Sequence, residues 1–373
     1  MRSVLLWAGG GCLALTLGLV ANAAGGTLHL TGDTFWALRT GQWILSPHRI
    51  PADGLWSWPR AHTPWINIEW LRDTLTAAAV AVVGPVGLLL WSGVLVASIL
   101  GGFWLLAGWR GFTPALLTLW VLASFSPAWR PQLAAYALWT LWLGLMARGR
   151  TQPRVVWILP VLMALWVNLE GSYLLAGAAM VLWAWDRRQE APQAWRQWLL
   201  PCLATVVAVA LTPWGIGGFL HAWQESQNPA IWQSIAEWAS PSFHGPAAWV
   251  VLVAPAVTLG VIAWRRPAIP RAHRWLWAAA AVSFILSLIA VRSLPFWWIS
   301  AAACWATTLR DLPPLRAPVW LVTLLWVLAG TGLVWAAPQV VTVRTTVPAR
   351  WVTILRHQPG RVWNTYGLGD DLV

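Results

Sequence analysis

Charge is scarce in this chain. Of its 373 residues only 10% are charged and 58% are hydrophobic, whereas soluble domains run to roughly 25% charged residues. So small a share argues against an ordinary soluble domain. Lysine is absent altogether, since all 24 basic residues are arginine. Cysteine is nearly absent too. Cys12, Cys202 and Cys304 each lie inside an apolar segment, where a thiol reads as a small core residue and not as half of a disulfide or a metal ligand. The seven histidines are dispersed, with no ligand spacing. Phosphate-binding glycine loops, metal-binding histidine pairs and nucleophile elbows are missing in usable form, which sets aside the common soluble enzyme motifs. The net charge of +12 does not signal nucleic acid, because the arginines are spread through short loops and no basic helix or stripe gathers them.

What the chain has is apolar runs, near 4–24, 86–107, 113–127, 131–147, 155–167, 171–185, 196–211, 248–264, 275–291, 295–309 and 318–337. They are continuous and not alternating, which predicts helices. Their length and number predict an all-α polytopic transmembrane bundle of about eleven spans. The loops at 109–112, 148–154, 186–195, 265–274 and 310–317 are basic and fall on alternate turns. By the positive-inside rule this places the N-terminus in the cytoplasm and 338–373 outside, in an inner (plasma) membrane. Many of the 36 tryptophans read as interfacial belt residues. The first run has a rival reading as a signal peptide ending at Ala21-Asn22-Ala23. Either way the first outer loop, 25–70, is delivered to the outer face.

Nine of the twelve acids fall on that expected outer side: Asp33, Asp53, Glu69, Asp73, Glu170, Glu225, Glu237, Asp370 and Asp371. A wet loop explains Asp53, Asp73 and Glu225 well enough. Glu170 is different. It stands in a turn of about three residues between two apolar runs, beside Asn168 and Ser172, where a charge is costly unless paired or functional. Asp33 opens an amphipathic helix reading "DTFWALRTGQWIL", in which its carboxylate can cap the first turn. Arg39, Arg130 and Arg292 share this face. Each fits snorkelling or an aromatic contact, and equally a bidentate grip on a phosphate. A carboxylate held beside apolar rings can serve as a general base, and two carboxylates can hold a divalent cation such as Mg or Mn.

This layout, an acid in the first outer loop on an interfacial helix, resembles the GT-C superfamily of integral-membrane glycosyltransferases. A set of motifs more specifically resembles a group of largely uncharacterised bacterial multispanning proteins. They are Asp33-x-x-Trp36-x-Leu38-x-Thr40-Gly41, Ile50-Pro51-x-Asp53, Glu69-Trp70-Leu71, Arg130-Pro131-Gln132 and Asn168-x-x-Gly171-Ser172. Further along stand Thr212-Pro213-Trp214-Gly215, Glu237-Trp238-x-Ser240-Pro241, Arg292-x-x-Pro295-Phe296 and Asn364-x-Tyr366-x-x-Gly369. Many GT-C enzymes carry two adjacent acids in that loop. Here only Asp33 stands at the place, so Glu69 or Asp53 would supply the second. Relatives of the group continue past the last motif, so residues 338–373 read as the start of an extracytoplasmic segment, after a helical domain over 1–337, and the chain as a fragment remains open.

The resemblance implies transfer of a sugar from a polyprenyl-phosphate-linked donor to an acceptor on the outer face. Asp33 is then the candidate base, with Glu69 beside it. Arg39, Arg130, Gln132, Asn168, Glu170, Glu237 and Arg292 are candidate substrate-binding residues. The expected partners are a lipid-linked sugar donor and membrane lipids, without nucleic acid, and no cofactor is certain beyond the admissible divalent cation. The alternatives are a transporter or lipid flippase, for which no inverted repeat is visible, and a non-catalytic assembly protein.

Overall fold

The computed structural model describes residues 32–56, 63–84, 86–125, 132–244, 248–265 and 273–308. Among them the chain is mostly helical. Helix α1 is Gly32–Leu45, α2 Trp70–Val83, α3 Val86–Ala107, α4 Phe112–Phe125 and α5 Gln132–Gly149. Then follow α6 Ile158–Leu169, α7 Tyr173–Glu190, α8 Arg196–Ala208, α9 Ile216–Ser226 and the short α10 Pro229–Ser234. Helices α11 Ala254–Arg265, α12 Arg274–Ile289 and α13 Leu294–Thr308 complete the described chain. An antiparallel bridge joins Asp53 to Pro64 after α1.

Helices α5 and α13 form the centre. Both bury residues on every side, from Leu133 to Met146 in one and from Leu294 to Thr307 in the other. They are joined where the Trp139 indole donates to Ser300 Oγ at 3.1 Å, and Ser300 in turn lies 3.2 Å from Ser283 Oγ of α12. Tyr136 meets Phe296 edge to face at 5.2 Å. Helix α3 crosses α5 at Gly102 and Gly144, where a Cβ on either glycine would run into the other helix's backbone. Small residues permit that close approach. Gly41 does the same for α1, because its missing side chain leaves room for the Asp73 carbonyl of α2. The first helix therefore packs against protein along one face.

Every expected apolar run that falls on described residues carries a helix, while 4–24 and 318–337 lie outside them, as does the C-terminal segment 338–373. The interpretation as spans is corrected. Among the described residues no helix is long and apolar enough to cross a membrane. The transmembrane bundle of about eleven spans, the inner-membrane multi-pass location and the assignment of inner and outer faces are therefore not supported. Two physical reasons stand out. A helix of 12 to 16 residues, as in α6, α8, α11, α12 and α13, rises only about 18–24 Å, against a hydrocarbon core of about 30 Å. And apolar sequence measures burial of any kind: in α5 and α13 it is spent on contacts within the protein.

Candidate functional site

Two acids, Glu69 and Asp73, meet at the start of α2. Asn67 begins the arrangement: its Oδ1 accepts from the Glu69 N–H at 3.1 Å, which sets the turn into the helix. Its Nδ2 donates to Asp73 Oδ2 at 2.9 Å. Arg72 then lies between two carboxylates, 2.7 Å from Glu69 and 2.8 Å from Asp73. Asp73 is 1% exposed, whereas the Glu69 side chain keeps 29% of its surface open. One face of the ion cluster is therefore sealed and the other is reachable.

A second element is tied to the first by α6. The Trp70 indole donates to Asn168 Oδ1 at 2.7 Å, and Asn168 Nδ2 donates to the Ala164 and Leu211 carbonyls. Leu211 precedes a turn in which Thr212 Oγ1 bonds within the Thr-Pro-Trp-Gly motif and Gly215 takes φ +56°, a left-handed conformation suited to glycine. Two residues after Asn168, Glu170 is 3% exposed. Its Oε2 accepts from the Ser172 N–H at 2.6 Å, and its Oε1 from Arg292 at 3.3 Å. Arg292 comes from the short turn Val291–Ser293 before α13, and its guanidinium lies 4.4 Å over the Trp238 ring. The Val291 N–H donates to the Ala239 carbonyl at 2.9 Å, which fixes that stacking.

Electrostatics separate the acids. Burial pushes the Glu69 carboxyl up to about 7; Arg72 opposes this, while the charges of Asp73, Glu170 and Asp33 add to it. Burial also raises Asp73, against the pull of Arg72 and the Asn67 hydrogen bond. For Arg72 burial works against the charge, but Glu69, Asp73 and Asp33 outweigh it and hold its pKa above the ordinary value. The Tyr173 phenol is pushed up to about 12, first by burial and then by the Glu170 charge, so it stays protonated. Glu69 thus combines a near-neutral pKa with access from outside.

The sequence candidates fare unevenly. Glu69, Glu170 and Arg292 belong to one neighbourhood, and Asp33 is near enough for its charge to act on Glu69 and Arg72. Asn168 has its amide fully engaged by protein groups and works as a clamp between elements. Arg39 is exposed, 5.9 Å from the Trp56 ring centre. Gln132 stands in the first turn of α5 with its amide oxygen buried and unpartnered. Glu237 is half-buried next to Trp238. Arg130 lies outside the described residues. Sequence reasoning passed over Arg72 and Asn67, noted Trp238 only as part of a motif, and read Asp73 as a wet loop acid. The available signal was the spacing Asn67, Glu69, Arg72 and Asp73, whose opposite charges fall within one helical turn.

Among the described residues no group of three His, Cys, Asp or Glu side chains is arranged to hold a metal ion. Cys202 and Cys304 are free thiols, both raised by burial, Cys202 to about 11; Cys12 lies outside the described residues. Beside the ion cluster, α2 and α3 form an open, wholly apolar groove of about 430 Å³, lined by Leu75, Ala79, Val82, Val83, Trp91 and Val94 among others. Arg72, Leu75, Ala79 and Val82 follow at helical spacing, so the groove starts one turn from the cluster. The chain matches no family model, and no curated protein or solved structure is significantly similar to it.

Proposed function

We propose that this protein is a glycosyltransferase that moves a sugar from a polyprenyl-phosphate-linked donor to an acceptor hydroxyl, with Glu69 as the general base. The observation that carries the reading is the place of the Glu69 carboxyl, 29% exposed on the reachable face of the Arg72 ion cluster; burial around it raises it towards about 7, which suits a group that must take a proton. In the reaction the acceptor oxygen attacks the anomeric carbon and its proton passes to Glu69. The bond from that carbon to the phosphate oxygen breaks, and the lipid phosphate leaves with the electron pair. Arg292, 26% exposed and held by Glu170 and Trp238, is the guanidinium available to that departing charge. The groove between α2 and α3 offers an apolar track for the donor's chain.

This assignment moves the base from Asp33 to Glu69. Asp33 becomes a charge that raises Glu69's affinity for a proton. The experiment is a transfer assay with the purified full chain, a radiolabelled polyprenyl-phosphate sugar and a panel of hydroxyl acceptors. Turnover by the wild type and a loss on the order of 10²–10⁴-fold in Glu69→Gln are expected. Undiminished transfer by Glu69→Gln would remove the base, and no transfer with any donor would remove the reaction.

A further inference from the structure

At the opposite end of α7 from Glu170, about 25 Å away along the helix, the arginines that looked scattered in sequence are gathered. Arg150, after α5, is 3.2 Å from Asp186 and also bonds Glu190, both of α7. Arg187 pairs with Glu190 as well and lies 4.4 Å over the Trp198 ring of α8. The charge of Arg274, which opens α12, acts on Asp186. These contacts bring the end of α5, the end of α7 and the starts of α8 and α12 to one rim. The two acids there are already held by Arg150 and Arg187. The open surface is mostly positive: Arg148, Arg154, Arg188, Arg196 and Arg274 are all exposed, against the exposed acid Glu190, which Arg150 and Arg187 already pair.

Large apolar side chains stand exposed among them. Trp157, Trp185 and Trp195 are each open to solvent, with Ile158, Leu199 and Leu200 beside them in sequence. The exposure continues at helical spacing, through Ile158, Val161 and Leu165 on α6 and through Leu200, Leu203 and Val207 on α8. Isolated exposed apolar residues need no explanation, but successive ones along neighbouring helices below a charged rim mark an interaction surface.

We infer that this arginine and tryptophan rim docks on an anionic phospholipid surface, with guanidinium groups on lipid phosphates and indole rings at the headgroup level. None of the described helices needs to span the bilayer for this contact. Two other occupants fit less well. A nucleic acid offers phosphates but nothing to cover Leu200, Leu203 and Val207. A second copy of the chain placed symmetrically would set arginine against arginine. A lipid surface offers negative charge above and hydrocarbon below, which matches the order of groups here.

The test is flotation of the full chain with vesicles of phosphatidylcholine alone and with vesicles containing phosphatidylglycerol. Preferential capture by the anionic vesicles is expected, weakening as salt is raised. The triple variant Arg148→Gln, Arg154→Gln, Arg188→Gln should lower partition onto anionic vesicles about 100-fold at low ionic strength. The double variant Arg39→Gln, Arg49→Gln, which removes exposed arginines elsewhere, should lose much less than a uniform loss per charge requires. Equal capture by both vesicle types would overturn the proposal. So would a loss in the control variant matching the rim variant charge for charge, or tighter binding to duplex oligonucleotide than to anionic vesicles.

Discussion

Arg292 and Glu170, 122 positions apart in the chain, meet at 3.3 Å, with the arginine also stacked on Trp238. The contact joins the turn before α13 to the turn between α6 and α7. It also sets an asymmetry, because Glu170 is 3% exposed and Arg292 26%. Left without its partner, the carboxylate has more to lose than the arginine does.

Arg292→Ala is therefore expected to destabilise more than Glu170→Gln. The first leaves a buried carboxylate with only the Ser172 N–H, at a cost of about 3 kcal/mol. The second keeps one oxygen, which can still accept from the Ser172 N–H, and puts an amide NH2 where Oε1 stood, from which the partly exposed arginine can turn to water. Arg292→Lys should recover little, since an ammonium cannot both stack flat on Trp238 and bond Glu170. Denaturant unfolding of the three variants checks the order; equal losses for Arg292→Ala and Glu170→Gln would show the pair to be incidental.

Glu69 links the site to pH. Its carboxyl is raised in the folded protein to about 7, from an ordinary value of 4.5. The folded state then binds a proton that the unfolded state releases, so this group's contribution is fully present below about pH 4.5 and is lost as pH rises through about 7. A shift of that size corresponds to about 3 kcal/mol. Glu69→Gln should abolish this component: its stability relative to the wild type should improve steadily from acid to neutral pH and level off above it. Unfolding free energies over that range decide the matter, and a flat difference would mean Glu69 is not perturbed.

The positions of the helices were legible because apolar run length is a strong signal. The run 86–107 coincides with α3, and 275–291 differs from α12 by two residues at most. Helix α2 was missed although its second half, "TAAAVAVV", is apolar, because Arg72 and Asp73 broke the run. Those charges sit inside the protein, paired with each other, and no linear reading reports such pairing. The same blindness produced the spans. Trp139, Trp142 and Trp166 are fully buried against other helices, yet in sequence they cannot be told from belt residues. Glu170, which local reasoning would leave charged only if paired or functional, is buried with a guanidinium beside it.

Close packing under the site makes a prediction about Gly41. A side chain there would occupy the place of the Asp73 carbonyl and the Ala77 methyl, both on α2. Because backbone must move, Gly41→Ala should cost about 1–3 kcal/mol. It should also disturb Asp73 and Arg72, which α1 holds in place from behind. Gly177, whose added Cβ meets nothing nearby, is the natural control, and alanine there should be tolerated. Similar losses at both positions would point to helix propensity and not to the α1–α2 contact.

Asp33 separates two accounts of the chemistry. If it were the base, Asp33→Asn would cost on the order of 10²–10⁴-fold in turnover at every pH, because an amide cannot take the acceptor's proton. With Glu69 as the base, the charge of Asp33 only adds to the forces that raise the Glu69 carboxyl. Removing that charge should then lower the Glu69 pKa. The acid limb of the pH–rate profile, expected near 7 in the wild type, should move towards lower pH in Asp33→Asn while the plateau rate stays within a few-fold. Glu69→Gln should lose the limb and the rate together. The profiles of the two variants, recorded in the same transfer assay, distinguish the cases: a collapsed plateau in Asp33→Asn with an unmoved limb would return the base to Asp33 and leave Glu69 as a structural acid.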